Sequence, residues 1–404
     1  MRPTIYNFSS MRAPITGIGR YAVELLKGQI SNNQPVYAVS NAKIYDGTTA
    51  HVLTQELLQT TEQIGHLARS RIGSIPFSRD IFRFLQSRSF SNLAKDLLNS
   101  GALYHDINYT PCNLAMRSVT TVYDLSNTYA PETHPKHRVN YMNRHFARLA
   151  KSTEAIITIS NSVKNELVDQ YQISPERIHV THLAAGPEFR PRPQIACKSV
   201  LDKYGVNYKR YFLCVGSVEP RKNLARILDA FLSLEVKTQE EYPLVVAGPL
   251  GWKSEALEKR LTAPCHQGRI KRLAFVPDFE LPLLYSSALA FVYPSLYEGF
   301  GLPLVEAMQS GCPCISSNRG ALAEVSAGST LAIDPEDTQT IANGLSSLLV
   351  NSEERSRLSN LGLKRSLDFS WANTSKETQR VYSLLSKLGV EPMLKSDAIE
   401  NVNH

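Results

Sequence analysis

The 404-residue sequence lacks the features that mark membrane, secreted, metal-binding and nucleic-acid-binding proteins. No apolar run approaches the roughly 18 residues of a membrane span, and the first ten residues lack the apolar core of a signal peptide. The six cysteines are scattered and form no C-x-x-C pair, so we expect buried thiols in the cytosol and no zinc site. Zinc-finger spacing, RNP-type aromatic motifs and long basic runs are also absent, so we predict no nucleic-acid partner, although the net charge is +7.

What the sequence contains is an alternation of short apolar strands with helical patterns in both halves. We expect strands at 4–8, 36–39, 118–123, 155–159 and 178–182, and again at 211–215, 244–247, 270–275, 289–293 and 313–316. Such alternation predicts an α/β protein with two doubly wound, Rossmann-like parallel sheets facing each other across a cleft.

The length exceeds that of one ordinary core, and the proline-rich stretch 186–193 predicts a linker between two domains. We place the first domain at residues 1–187 and the second at 188–370. A closing helix at 371–388 is expected to return to the first domain, and residues 389–404 form a polar tail.

Two glutamates, Glu298 and Glu306, stand eight positions apart around a glycine turn in Glu-Gly-Phe-Gly-Leu-Pro-Leu-Val-Glu. We expect Glu298 in a loop and Glu306 about one turn into a helix that Pro303 opens, so both carboxylates can face one crevice. Free amides at a helix start bind anions. Carboxylates for hydroxyls beside amides for phosphate predict a nucleotide or sugar-nucleotide site.

A second segment places two cations just after a predicted strand. Gly216 follows that strand, and Arg221 and Lys222 come five and six residues later, before a predicted helix. Arg221 can hold a diphosphate as a fork and Lys222 as a point charge. The alternative is a solvated surface pair, but the position at a strand end favours the phosphate role.

A third, weaker pattern is the short glycine loop that contains Gly17 and Gly19 and leads into a helix. Many strand–helix turns need glycine, and the pattern is not G-x-G-x-x-G. A dinucleotide site is therefore not predicted here.

Basic and apolar residues concentrate between residues 66 and 90. Five arginines stand there against one acid, Asp80: Arg69, Arg71, Arg79, Arg83 and Arg88. Such a surface can rest on an anionic membrane, which makes peripheral contact through the Arg69 to Arg88 segment one hypothesis. The alternative is an ordinary helical hairpin whose apolar side faces the core.

Together these motifs resemble those of the retaining glycosyltransferases of family 4, which have the GT-B fold. The two glutamates match the family's E-x7-E motif, and residues 215–223 are similar to its GxxxPRKN phosphate segment. Further similarity lies at residues 121–125, 157–162, 320–325, 334–337 and 369–372. The motifs occur in the family's order over residues 12–385, nearly the whole chain.

Within that family, residues 17–21, 105–109 and 131–135 most resemble bacterial mannosyltransferases that build O-antigen polysaccharide. The resemblance implies transfer of mannose from GDP-mannose to a saccharide or lipid-linked acceptor, in the cytoplasm or at the inner face of the cell membrane. One alternative is a UDP-sugar donor such as UDP-glucose. Another is a catalytically silent nucleotide-binding partner in a polysaccharide assembly complex.

The resemblance also implies roles for single residues. Arg221 and Lys222 would hold the donor diphosphate, Glu306 would bind the ribose hydroxyls, and Glu298 would contact the donor sugar near the reacting carbon. The other donor-binding positions are glycine-loop residues, the start of the helix and a serine at the cleft: Gly17, Gly19, Ser160, Gly216, Gly299, Phe300, Gly301 and Leu302.

One position departs from the family pattern, because Tyr123 stands where many members have a histidine beside the donor sugar. Tyrosine donates a hydrogen bond but cannot act as an imidazole near neutral pH. His105 is a candidate for supplying an imidazole, with a structural histidine as the alternative. Asp124 is a candidate for orienting acceptor or sugar, with a turn-capping role as the alternative.

No cofactor and no metal are expected. The sequence contains no Asp-x-Asp, and the resemblance implies that Arg221, Lys222 and the helix amides stabilise the leaving diphosphate. The same resemblance implies that this diphosphate takes the acceptor proton, so no enzyme base is needed.

Overall fold

The computed structural model describes residues 2–8, 16–40, 43–64, 97, 100–108, 117–252 and 254–387. The segment from Arg69 to Arg88 and the polar tail at 389–404 lie outside the described residues. The membrane contact predicted for that segment therefore stays a hypothesis from the sequence.

The N-terminal half, before the predicted linker at 186–193, contains a seven-stranded sheet. Its strands are β1 (Thr4–Asn7), β2 (Val36–Ser40), β3 (Lys43–Asp46), β4 (Leu103–Asp106), β5 (Ser118–Val122), β6 (Ala155–Thr158) and β7 (Ile178–Val180). They lie in the order β3-β2-β1-β4-β5-β6-β7, and every pairing is parallel except that of β3 with β2.

The C-terminal half contains a second, six-stranded sheet in which all pairings are parallel. Its strands are β8 (Phe212–Val215), β9 (Leu244–Ala247), β10 (Ile270–Leu273), β11 (Ala290–Tyr293), β12 (Cys314–Ser317) and β13 (Leu331–Ile333). Their order is β10-β9-β8-β11-β12-β13. The prediction of an α/β protein with two parallel sheets is confirmed, with the antiparallel edge strand β3 as the exception.

Helices connect the strands in both halves. The N-terminal half has α1 (Gly17–Ser31), α2 (Gly47–Ile64), α3 (Ser126–Tyr129), α4 (Lys136–Ser152) and α5 (Asn161–Tyr171). The C-terminal half has α6 (Gln194–Tyr204), α7 (Leu224–Leu232), α8 (Val236–Glu241), α9 (Glu255–His266), α10 (Leu281–Ser287), α11 (Leu302–Gln309), α12 (Gly320–Ser326), α13 (Thr338–Val350) and α14 (Ser352–Ser366). The last described helix is α15 (Trp371–Lys387).

The sequence forms these elements because their apolar periods match their surroundings. All four residues of β9 are buried, as expected for a central parallel strand covered on both faces. Helix α7 buries Leu224, Ile227, Leu228 and Phe231, which recur at helical spacing on one side. The buried residues of β9 and α7 therefore pack in the core of the C-terminal half.

Helix α15 returns to the N-terminal half and packs on α1. The approach is close, because a side-chain carbon on Gly28 would come within 2.5 Å of Ser375 Oγ. Gln29 donates from Nε2 to the carbonyl oxygen of Ser375 at 3.2 Å, and Tyr6 and Tyr382 share a hydrogen bond of 3.0 Å between their hydroxyls. Helix α15 thus packs into the core of the N-terminal half.

The strand orders place the functional loops. In each sheet the order reverses beside the first strand, between β1 and β4 and between β8 and β11. Ligands of open α/β sheets bind at such switch points, beyond the carboxyl ends of the strands. The loops after β8 and β11, which carry the cationic pair and Glu298, therefore lie side by side.

Candidate active site

The loop that carries Glu298 connects β11 to α11 and is shaped by glycines. Gly301 has a φ of 99°, in the left-handed region that favours glycine. At Gly299 any added side-chain carbon would come within 1.8 Å of the carbonyl oxygen of Tyr123, which belongs to the other half. Helix α11 begins at Leu302, so Pro303 occupies its second position and not the first as predicted.

Glu298 lies at the centre of a buried charge cluster. Its Oε2 accepts a hydrogen bond from Arg221 Nη1 at 2.8 Å, and its Oε1 accepts one from Lys222 Nζ at 2.6 Å. Tyr293 donates to the same Oε1 at 2.8 Å. Only 8% of the Glu298 side chain is exposed, against 13% for Arg221 and 16% for Lys222. The structure therefore brings three of the predicted site residues together.

Burial and the neighbouring charges have opposite effects on the pKa values of this cluster. Burial by itself would raise the pKa of the Glu298 carboxyl, but Arg221 and Lys222 outweigh it and lower the pKa to about 2. Burial lowers the pKa of Lys222, partly offset by Glu298. Burial opposes the charge of Arg221 too, yet Glu298 and Asp124 raise its pKa. Glu298 therefore favours the carboxylate form at neutral pH, hydrogen-bonded to Arg221 and Lys222.

Arg221 also joins the two loops. Its Nη2 donates to Glu219 Oε1 at 2.7 Å, and its Nη1 donates to the carbonyl oxygen of Tyr297 at 2.9 Å. Asn223 closes the short 3₁₀ turn Pro220–Lys222 with a φ of 61° and donates from Nδ2 to the carbonyl oxygen of Pro294 at 2.9 Å. The cationic loop and the Glu298 loop consequently form one unit.

Gly216 lies at the start of the cationic loop, with a φ of 143°. A side-chain carbon there would lie 3.5 Å from Cε of Lys222. Gly216 therefore adopts a backbone conformation that other residues rarely adopt, at the point where the loop leaves β8. It lies next to the Lys222 side chain.

Glu306 lies in a different environment from Glu298. Its Oε2 accepts a hydrogen bond from the Tyr285 hydroxyl at 3.2 Å. Burial raises the pKa of Glu306 to about 8, and Asp278 and Glu188 add to the rise, while Arg20 opposes it. The raised pKa therefore favours the protonated form of the second glutamate at neutral pH.

The glycine loop of the N-terminal half reaches the second half through Arg20. Thr16 caps α1 by accepting from the backbone amide of Gly19 at 3.4 Å, and Gly17 is the first residue of the helix. Arg20 Nη2 donates to Asp278 Oδ2 at 2.5 Å, and its Nη1 lies 3.5 Å from Glu188 Oε1. The start of α1 is thus directed at the Glu306 side of the cleft.

Ser160 and Tyr123 lie where the two halves meet, and their hydroxyls form hydrogen bonds with other groups of the protein. Ser160 Oγ donates to the carbonyl oxygen of Gly299 at 2.7 Å and accepts from the amide of Val163, which caps α5. Tyr123 donates its hydroxyl to the carbonyl oxygen of Ile107 at 2.8 Å, within the N-terminal half. The tyrosine at the family's histidine position is directed into the protein.

Asp124 adopts the capping geometry that the sequence left as its alternative. Its Oδ1 accepts from both the amide of Ser126 at 3.1 Å and the Ser126 hydroxyl at 2.8 Å. It also raises the pKa of Arg221, so its charge acts on the site from the opposite half. Capping and electrostatic contact with the site are therefore both present.

His105 is buried in the core of the N-terminal half. Its Nδ1 shares a hydrogen bond of 2.6 Å with the Tyr382 hydroxyl, and its Nε2 shares one of 2.7 Å with Thr121 Oγ1. Burial lowers its pKa to about 3, so the ring is neutral. The geometry favours the structural alternative for His105, since both ring nitrogens bind residues of the core and of α15.

Four residues that sequence reasoning missed contribute to the site: Tyr293, Glu219, Tyr297 and Arg20. Three of them are detectable by position, since Tyr293 ends a strand, Glu219 lies inside the segment 215–223 and Tyr297 directly precedes Glu298. Arg20 directly follows Gly19 and lies in the first turn of α1. Among the described residues, no group of three or more potential ligands is placed to hold a metal ion.

Two family models match the chain, one for each half. Residues 15–185 match the model described as Glycosyltransferase Family 4, and residues 202–365 match Glycosyl transferases group 1. The O-antigen chain mannosyltransferase B of Escherichia coli is 32% identical over 387 residues, which cover 94% of this chain and 99% of that protein. The chain belongs to glycosyltransferase family 4.

Other relatives and solved structures agree with this assignment. The serotype-specific mannosyltransferase WbdA of Escherichia coli is 30% identical in an alignment that covers 71% of this chain. The same alignment covers 36% of WbdA, which is the longer protein. A glycosyltransferase from Rickettsia africae superposes with a TM-score of 0.70 at 14% identity, over 96% of this chain and 99% of that one. WaaG, a glycosyltransferase of lipopolysaccharide biosynthesis, gives 0.69 at 15% identity, over 94% and 99%. The predicted GT-B fold is confirmed.

The transferase is therefore a hexosyltransferase with two Rossmann-like sheets. No described helix of the transferase is both long enough and apolar enough to cross a bilayer.

Proposed function

We propose that the transferase moves mannose from GDP-mannose to a saccharide or lipid-linked acceptor in surface-polysaccharide synthesis, with retention of configuration. The observation that carries the proposal is the similarity to the Escherichia coli O-antigen chain mannosyltransferase B, which extends over nearly the full length of both chains. Relatives that match a smaller share of the chain include further mannosyltransferases.

The charge cluster supports the donor side of this proposal. Departure of the nucleoside diphosphate develops negative charge on its phosphates. Arg221 and Lys222 bind Glu298 in the loop that leads into α11, and the first amides of that helix favour anions. Both cations are held in place by Glu298, so they require little reorganisation when charge develops. We assign diphosphate binding to Arg221, Lys222 and the backbone at Phe300, Gly301 and Leu302.

The two glutamates of the motif support the sugar side of the proposal. Glu298 keeps its negative charge down to low pH and stands between the phosphate-binding cations, where it can favour positive charge on the sugar ring. Glu306 is assigned to the ribose hydroxyls, as a hydrogen-bonding partner that carries its own proton until a donor binds. No step requires a metal ion or another cofactor.

The acceptor side requires no histidine at the position of Tyr123. In a retaining transfer within one cleft, the departing phosphate oxygen takes the proton of the acceptor hydroxyl. Tyr123 then acts through its backbone, which packs on Gly299, and Asp124 contributes its charge.

The decisive experiment is incubation of the purified transferase with GDP-mannose, UDP-glucose and other sugar nucleotides, each with and without a lipid-linked saccharide acceptor. We expect acceptor-dependent release of GDP and an α-linked mannose in the product, identified from its anomeric proton by NMR. Turnover with a UDP-sugar and not with GDP-mannose would show that the proposed donor is wrong. Binding without turnover across the panel would favour a silent partner.

A further inference from the structure

Tyr297, the residue directly before Glu298, crosses between the halves. Its hydroxyl accepts a hydrogen bond from the backbone amide of Leu125 at 2.9 Å and donates one to Glu166 Oε2 at 2.5 Å. Its ring stacks on Tyr129, with centroids 6.3 Å apart and planes 11° from parallel. One side chain of the C-terminal half is thus fixed by three residues of the N-terminal half.

The other end of Tyr297 belongs to the charge cluster, because its carbonyl oxygen accepts from Arg221 Nη1 at 2.9 Å. The same guanidinium nitrogen binds Glu298. Tyr297 therefore connects the first turn after β5, where Leu125 follows Asp124, to the cation that we assign to the diphosphate.

The polarity of the Tyr297–Glu166 hydrogen bond is defined by its surroundings. Burial, followed by the charges of Glu166 and Asp124, raises the pKa of Tyr297, so the hydroxyl keeps its proton and donates. Burial also raises the pKa of Glu166 to about 7, and Asp124 adds to the rise, while hydrogen bonds from Tyr297 and Ser162 oppose it. Glu166 sits on α5, whose capping residue Ser160 holds Gly299 on the other side of Glu298.

We propose that Tyr297 and Glu166 are a positioning pair that holds the Glu298 loop against the acceptor side of the cleft. Neither residue needs to touch the donor for this role. The pair sets the distance between the reacting carbon, which Glu298 faces under the proposed function, and the acceptor hydroxyl near Asp124. The inference rests on that proposed function for the identity of the reacting groups.

A positioning pair of this kind affects turnover more than donor affinity. The cations that hold the diphosphate remain when the Tyr297 hydroxyl is removed, so donor binding persists. A misplacement of about 1 Å between reacting groups lowers a rate by about 100-fold. Loss of the pair therefore lowers kcat and leaves KM for the donor nearly unchanged.

The test compares Tyr297→Phe with Tyr129→Phe. The control removes the hydroxyl of the stacked neighbour, which donates at 3.5 Å to the backbone carbonyl oxygen of Glu166, and it leaves the hydrogen bond between Tyr297 and the Glu166 carboxyl in place. With GDP-mannose and a lipid-linked acceptor, we expect Tyr297→Phe to lower kcat by about 10- to 100-fold. KM for GDP-mannose should change by less than about threefold, and Tyr129→Phe should stay within about twofold of the wild type. Calorimetric binding of GDP, measured on each variant, confirms that the site is folded.

Glu166 supplies the second arm of the test. Glu166→Gln keeps an oxygen that accepts from Tyr297 and should retain most activity, whereas Glu166→Ala should lose as much as Tyr297→Phe. The double variant Tyr297→Phe/Glu166→Ala should lose no more than Tyr297→Phe alone, because that substitution already removes the hydrogen bond to Glu166. If the losses of kcat in the two single variants multiply in the double variant, the positioning role is wrong. A Tyr297→Phe kcat within twofold of the wild type would also contradict it.

The outcomes also separate this inference from the proposed function. If the wild type turns over a different sugar nucleotide and not GDP-mannose, the proposed donor is wrong. The same variants are then measured with that nucleotide, and the same ratios decide the positioning role.

Discussion

Glu298 and Glu306 belong to one short motif and lie in opposite electrostatic environments. Glu298 binds Arg221, Lys222 and Tyr293, and its pKa is lowered to about 2. Glu306 has Tyr285 as its hydrogen-bond donor, lies near Asp278 and Glu188, and its pKa is raised to about 8. Burial acts to raise the pKa of both carboxyls, so burial alone does not decide their ionisation.

The difference shows what a carboxylate in this site is able to do. A buried carboxylate keeps its charge where cations compensate its desolvation, and it takes up a proton where they do not. Glu298 is therefore suited to an electrostatic role at the reacting sugar. Glu306 is suited to hydrogen bonding with neutral hydroxyls, and an approaching cation or donor would change its protonation.

The largest expected effect is on stability. Glu298→Gln leaves two buried cations with one carboxylate fewer, so we expect the free energy of unfolding at pH 7 to fall by about 3–5 kcal/mol. Glu306→Gln replaces a protonated carboxyl by a neutral amide and should not lower it. Urea unfolding followed by tryptophan fluorescence compares the two variants, and equal losses would mean that both glutamates are ionised.

The next effect is on turnover. Lys222→Ala removes a cation that we assign to the leaving diphosphate, so kcat should fall by about 100-fold, as for removal of one transition-state donor. Lys198→Ala is the control, since Lys198 pairs with Asp202 at an exposed site on α6. Steady-state kinetics with the donor found in the panel provide the measurement. Unchanged kinetics for Lys222→Ala would remove the diphosphate assignment.

The pH dependence of stability should differ in sign between the two glutamates. The folded-state pKa of Glu298 is depressed, so its stabilisation is present above its ordinary pKa of 4.5 and is lost as the pH falls toward 2. The folded-state pKa of Glu306 is raised, so its stabilisation is complete below pH 4.5 and is lost as the pH rises through about 8.

Unfolding of the wild type and of Glu306→Gln between pH 5 and 8 measures the second contribution. The variant should gain stability relative to the wild type as the pH rises, by at most about 1.4 kcal/mol per pH unit. A constant difference over this range would show that Glu306 does not hold a proton in the folded state.

The smallest effect is expected at Arg20, whose partly exposed pairs with Asp278 and Glu188 contribute about 0–1 kcal/mol. Because Arg20 lowers the pKa of Glu306, Arg20→Gln should shift the Glu306 transition to higher pH. The same unfolding series in the Arg20→Gln background detects the shift. A shift to lower pH would mean that Asp278 and Glu188 act differently on Glu306 than the structure indicates.

Much of the fold follows from the sequence. The ten expected strands are present, because buried runs of β-branched residues have few alternatives in an alternating chain. The sequence analysis did not predict strands β3, β4 and β13, for three separate reasons. Strand β3 is a partly exposed antiparallel edge, β4 contains His105 and Asp106 at buried positions, and β13 has three residues.

The sequence by itself determined the family, the two-sheet architecture and the grouping of Glu298 with Arg221 and Lys222. It did so because loops that follow neighbouring parallel strands must meet at one edge of a sheet. Only the tertiary structure decided the ionisation of Glu298 and Glu306 and the inward direction of the Tyr123 hydroxyl. It also decided the burial of His105 and the contact of Tyr297 with Glu166. These properties depend on which side chains approach from distant segments, and local sequence spacing does not carry that information.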